Sequence, residues 1–95
     1  METTQYQLID KEAVANLNFP ENDVLTSAES KAERANDLKT AMTLGNLEHT
    51  KIRIYFEDDK SLKVVDTTVW GITDKRVILK QGLVIPINRV HKVKF

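Results

Sequence analysis

A chain of 95 residues holds one domain with a single modest core. It has no cysteine, which excludes disulfides and thiolate chemistry, and its 14 basic residues balance 14 acidic ones. No run approaches the ~20 apolar residues that span a bilayer. The opening Met1-Glu2-Thr3-Thr4-Gln5 is acidic and polar and lacks the basic region of a signal peptide, so a cytoplasmic location without a membrane partner is expected.

The balanced charge is unevenly spread. Residues 1–48 carry four basic and nine acidic side chains, and residues 49–95 carry ten and five. Lys75, Arg76, Lys80, Arg89, Lys92 and Lys94 occupy the last stretch, from Lys75 to Phe95, with no acid among them. A basic half on a neutral chain points to an anionic partner or to neutralisation within the molecule.

Residues 1–25 form an N-terminal arm, expected to be partly ordered. Asp10 can cap a short helix reaching Leu17, and Asn18-Phe19-Pro20 ends it, because the residue before a proline is pushed out of the α region. The single helix-plus-strand domain is then expected over 26–95. Thr26 or Ser27 starts its main helix, with Thr26-Ser27-Ala28-Glu29 fitting a capping box and Gly45 supplying a left-handed stop. Ala28, Ala32, Ala35, Leu38 and Met42 recur at three- and four-residue spacing, which predicts one core-facing stripe.

Five strands are predicted after residue 50. Ile52, Ile54 and Phe56 alternate with Arg53, Tyr55 and Glu57 over 51–57, and Asp58-Asp59-Lys60-Ser61 makes the turn. The second strand runs from Leu62 to about Thr73. Its apolar parity shifts, which predicts a bulge near 64–66. Trp70 shares parity with Ile72 and is expected in the core, the alternative being an outward ring that stacks a base. Arg76–Lys80 forms the third strand, Gln81-Gly82 a two-residue hairpin turn, and Leu83–Ile87 the fourth strand, with Leu83, Ile85 and Ile87 inward and Pro86 at an edge. Asn88-Arg89-Val90 reads as a short 3₁₀ turn, and His91–Phe95 as the fifth strand with Val93 and Phe95 inward. The fold class expected is α+β: a helix followed by a five-stranded, antiparallel, strongly bent sheet.

Helix, strands and the strand–3₁₀–strand ending Val84 to Phe95 resemble the Sm-like and SH3-like small barrels, and the element order is also similar to the bacterial Rho-inhibitor barrels. More locally, Thr67-Thr68-Val69-Trp70, Val77-Ile78-Leu79-Lys80-Gln81-Gly82, Ile85-Pro86-Ile87-Asn88-Arg89-Val90 and Leu44-Gly45-Asn46-Leu47-Glu48-His49 resemble a family of short Bacteroidetes proteins of uncharacterised function. The Sm-like resemblance implies a small barrel over roughly 27–95. Thr73-Asp74-Lys75 and Asn88-Arg89 stand where Sm proteins carry an asparagine and a glycine, so the RNA-pocket residues of that family do not carry over.

Chemistry is sparse. His49 and His91 are far apart and no third ligand joins them, so no metal and no cofactor is expected. Glu57-Asp58-Asp59 lacks the spacing of a calcium loop. The three glycines are too scattered for a phosphate loop. A non-enzymatic protein-interaction or regulatory module is the first expectation, with homo-oligomers through edge strands as one form of it. The alternative is single-stranded RNA binding by the basic half. Arg53, Tyr55, Lys75, Arg76, Lys80, Arg89, Lys92 and Lys94 are the candidate contacts for either partner.

Overall fold

The computed structural model describes residues 5–95. Apolar side chains on every second residue after position 50 produce strands, but those strands divide between two sheets. Strands β1 (Gln7–Ile9), β2 (Ile52–Glu57), β3 (Leu62–Thr67) and β7 (Val90–Lys94) form one sheet in the order β1-β3-β2-β7. Strands β4 (Val69–Ile72), β5 (Arg76–Leu79) and β6 (Val84–Pro86) form the other, in that order. With one helix, α1 (Ala28–Glu48), the chain is α+β. The expected single five-stranded sheet is replaced by a four-stranded and a three-stranded layer, and β6 and β7 do not pair, so the strands do not close into a barrel.

The physical cause lies in the long second strand. It breaks at Thr68, passing from the first sheet as β3 to the second as β4. The break therefore falls beyond the expected 64–66, where β3 keeps unbroken register with β2 from Ile52↔Thr67 to Glu57↔Leu62. The parity change is taken up instead by a register shift between Val69 and Gly71 against β5. Val69 stays fully buried while Trp70 is 50 % exposed, which corrects the expectation of a core tryptophan. A second shift, between Tyr55 and Phe56 against β7, brings Val90 opposite Phe56.

The two inner faces meet in one core. Ile52, Ile54, Phe56, Val65, Val69, Val77, Leu79, Ile85, Val90 and Val93 supply it from the sheets, and Leu38 and Ala41 from the helix. Leu83 and Ile87 pack partly against it, whereas Phe95 is 61 % exposed and not the inward residue its parity suggests. A hairpin turn follows β5, but it takes three residues, Lys80–Gly82, and not the expected two, because Leu79 N–H bonds to the Leu83 carbonyl at 2.6 Å. Gln81 (φ 71°) and Gly82 (φ 79°) both take the left-handed conformation, the demand of a tight hairpin turn that follows the strand twist.

Ser27 caps α1. Its Oγ accepts the Ser30 backbone N–H at 2.9 Å, so the start is as expected but the serine, not Thr26, does the capping. The face turned to the core is Arg34, Leu38, Ala41 and Gly45; Ala28, Ala32 and Ala35 are exposed. Gly45 does not stop the helix. It is buried, and a Cβ built there would lie 2.2 Å from the Val69 carbonyl oxygen, so glycine is what lets the helix backbone rest on β4. The stop comes at His49 (φ 54°, ψ 34°), whose N–H bonds back to the Gly45 carbonyl at 3.1 Å. The helix packs on β4 and β7, and Arg34 Nη1 donates to the Val90 carbonyl at 3.0 Å, covering the free edge of β7.

Residues 5–25 follow the surface of this body. β1 adds to β3 in parallel, Leu8 opposite Val64, and the short helix expected between Asp10 and Leu17 is a 3₁₀ segment (Lys11–Asn16) that buries Val14. Phe19 packs on Phe56 with ring centroids 6.0 Å apart. Two arginines tie the rest. Arg34 forms a two-point ion pair with Asp23 at 2.8 and 2.9 Å. Arg89 donates to the carbonyls of Asn22, Glu57 and Asp58 at 2.9, 3.0 and 3.2 Å. Among the described residues no helix is long and apolar enough to cross a membrane.

Candidate functional site

With the inward residues committed to the core, the strands leave two outer faces, and the candidate residues divide between them. On the four-stranded sheet, Arg53 and Tyr55 of β2 stand opposite Lys94 and Lys92 of β7. Strand alternation puts all four on the same side. Tyr6, which precedes β1, joins them: its ring meets that of Tyr55 edge-on at 4.8 Å. Lys92 Nζ sits 5.0 Å from the Tyr55 ring centre and 5.9 Å from that of Tyr6, cation–π distances that hold the cluster in place.

Charge on this face is locally compensated at one end. His91 Nε2 lies 3.0 Å from Glu57 Oε1, and Arg89 Nη2 lies 3.9 Å from Glu57 Oε2. Burial, then the Glu57 carboxylate and the neighbouring Tyr55, push the Tyr6 hydroxyl above its ordinary pKa, so it stays a neutral donor. At the other end Lys51, Arg53, Tyr55, Asp66, Lys94 and Phe95 line a shallow hollow of about 410 Å³.

The outer face of the three-stranded sheet is different in kind. Val77, Leu79, Ile85 and Val69 point inward with no exposed surface. Between them Trp70 (50 % exposed), Ile78 and Val84 (40 % exposed) are left on the outer side, Ile78 standing opposite both Gly71 and Val84. Arg76 and Lys80, exposed at the two ends of β5, flank this apolar strip. From β4 to β6 the only acid is Asp74, in the turn before β5.

Lys75 and Arg76 also line a cleft of about 570 Å³ between the arm and β6. Glu21, Asp23 and Asp74 face them there, so the cleft is close to charge-balanced. Its floor is Arg34, held by Asp23. That guanidinium keeps the Asp23 carboxyl down at about 2.

Arg89 belongs to neither face. It is 4 % exposed and its guanidinium is spent on carbonyls of the arm and the β2–β3 turn, which makes it a structural clamp and corrects its place among the candidate contacts. A basic residue in an acid-free stretch looks like a surface cation until its burial is known. Lys63 is a parallel case inside β3: its ammonium is buried against Asp58 at 3.0 Å and Ser61 Oγ at 2.7 Å. One residue, Tyr6, was missed by sequence reasoning, and Trp70 was placed on the wrong side. Tyr6 had a legible signal, since Gln5-Tyr6-Gln7-Leu8 alternates as a strand does. For Trp70 the parity signal pointed inward, and a bulge decided its side.

Among the described residues no group of three or more His, Asp or Glu side chains converges as a metal site. No family model, curated protein or solved structure matches the chain.

Proposed function

We propose that this protein is a non-enzymatic protein-interaction module whose partner surface is the outer face of β4, β5 and β6. One observation carries the reading: Trp70, Ile78 and Val84 form an outward apolar strip that contributes nothing to the core. Such a strip, rimmed by polar residues, is what an interface centre looks like, and tryptophan is among the commonest energetic anchors there. Arg76 and Lys80 at its ends fix the chemistry of the partner. It is a protein segment with aliphatic side chains in the middle and carboxylates on either side.

Edge pairing is a weaker route to assembly. The helix lies along the free edges of β4 and β7, and Pro86 in β6 has no N–H to give a ladder.

Trp70 is the sole tryptophan of the chain, so its fluorescence reports on this face alone. Titration with a short peptide of alternating leucine and glutamate should give a saturable blue shift. The shift should disappear in the Arg76→Glu/Lys80→Glu variant, which keeps Trp70. A peptide with lysine in place of glutamate should give none. Equal shifts with both peptides, or none with either, defeat the proposal.

A further inference from the structure

The four-stranded sheet carries a second site that the proposed protein contact does not use. We infer that the hollow lined by Lys51, Arg53, Tyr55, Asp66, Lys94 and Phe95 binds single-stranded nucleic acid. Its ingredients are those such a ligand needs. Three cations project from the ends of β2 and β7, Arg53 directly opposite Lys94, at a spacing set by the ladder. Tyr55 and Phe95 present aromatic surface beside them, Tyr55 half-buried and Phe95 61 % exposed. Stacking of a base on an aromatic side chain tolerates any sequence, while backbone phosphates take the cations.

The volume of about 410 Å³ falls in the range of small-ligand pockets and suits one nucleotide unit, not a duplex, whose bases offer no free faces for stacking. Lys92 is not needed as a phosphate contact. Its ammonium lies 5.0 Å from the Tyr55 ring centre and, with Tyr6, holds that ring in place at the wall of the hollow. Glu57 adds little repulsion, because Arg89 and His91 lie against its carboxylate. Asp66 is the opposing charge: exposed, in the hollow, and directly opposite Arg53 in the β2–β3 ladder. It makes the site weaker than its cations alone would allow, and testable in both directions.

The experiment is fluorescence anisotropy of the intact chain with a short labelled single-stranded RNA of mixed sequence, at several salt concentrations. Three phosphate contacts predict a slope of about −2 in log affinity against log salt. Arg53→Gln and Lys94→Ala, both at exposed positions, should each weaken binding and flatten that slope by about 0.7. Tyr55→Ala should cost about tenfold in affinity, and Asp66→Asn should strengthen binding severalfold. Arg76→Glu/Lys80→Glu, on the other sheet, should leave it unchanged. Salt-independent binding, no binding, no gain from Asp66→Asn, or an equal loss from the β5 variant overturns the inference. So does a poly-glutamate peptide that competes fully for the site, since the face would then be a second acidic-protein contact.

Discussion

Arg53 and Lys94 on the four-stranded sheet occupy the same kind of position as Ile78 and Val84 on the three-stranded one: outward, on strands whose alternate residues are fully buried. Inward, both sheets are apolar, with valine and isoleucine in each, Phe56 in the four-stranded one and Leu79 in the three-stranded one. Outward, one is aromatic and cationic and the other apolar with cations at its ends. Burial constrains the inner residues, because each buried aliphatic side chain contributes roughly 1.5–3 kcal/mol. It does not constrain the outer ones. What stands there is thus the more informative about partners, and the difference between the faces is why they are assigned different ligands.

The sheets also differ in how they are held, and that contrast can be broken from either side. The largest effect is expected at Arg89, which ties the four-stranded sheet's β2–β3 turn to the arm. Arg89→Ala leaves three carbonyls without their donor and should cost about 3–5 kcal/mol in urea unfolding. Arg76→Ala, an exposed arginine on the other sheet, should change stability by less than about 0.5 kcal/mol. If the two arginines cost the same, the distinction between clamp and surface cation is wrong.

The three-stranded sheet is held from the helix side. Gly45→Ala forces a Cβ into the Val69 carbonyl and should cost roughly 1–3 kcal/mol, whereas Gly71→Ala, whose nearest neighbour would be Ile78 Cδ1 at 3.8 Å, should be tolerated. Differential scanning calorimetry of the pair separates a steric cause from a general glycine effect.

Acid acts on both halves through two carboxyls. The Arg34 hydrogen bond lowers Asp23 from 3.8 to about 2. Burial would raise Asp58, but the Ser61 N–H, the Lys63 ammonium and the Lys60 N–H outweigh it and leave the group below its ordinary value. Both folded values lie under the unfolded ones, so their stabilisation is present above the ordinary carboxyl range and is lost as the pH falls through the folded values, about 2 for Asp23. Asp23→Asn should lower stability near neutrality by roughly 2 kcal/mol and flatten the acid limb of the curve. An unchanged acid limb would show that the Asp23–Arg34 pair contributes nothing.

The smallest stability effect separates function from fold. Trp70→Ala, at a half-exposed site outside the core, should cost no more than about 1 kcal/mol. It should nonetheless abolish retention of the acidic–aliphatic peptide on an affinity column. A loss of several kcal/mol would mean that Trp70 is a packing residue after all.

Much of this was legible in the residues. Ile52-Arg53-Ile54-Tyr55-Phe56 shows which side chains enter the core, and Gln81-Gly82 marks a hairpin turn that the backbone adopts. The cationic face could be partly read, because Arg53 and Tyr55 share parity on one strand and Lys92 and Lys94 on another. That these two strands are neighbours is a long-range fact with no local signal. The stripe of alanines misled, since Ala28, Ala32 and Ala35 have helical spacing but too little apolar surface to draw the helix onto that side. Leu38 and the gap at Gly45 draw it onto another.

The order of amino acids determined the local elements of this protein and the inward side of its regular strands, because alternation and turn chemistry act between residues close in sequence. Only the tertiary structure decided that one long strand would serve two sheets, that Arg89 and Lys63 would be buried while Trp70 stayed outside, and that Tyr6 would meet Tyr55. Each of those outcomes depends on which distant backbone carbonyl, carboxylate or ring lies within a few ångströms. The pairing of strands sets that distance, and no short stretch of sequence encodes it.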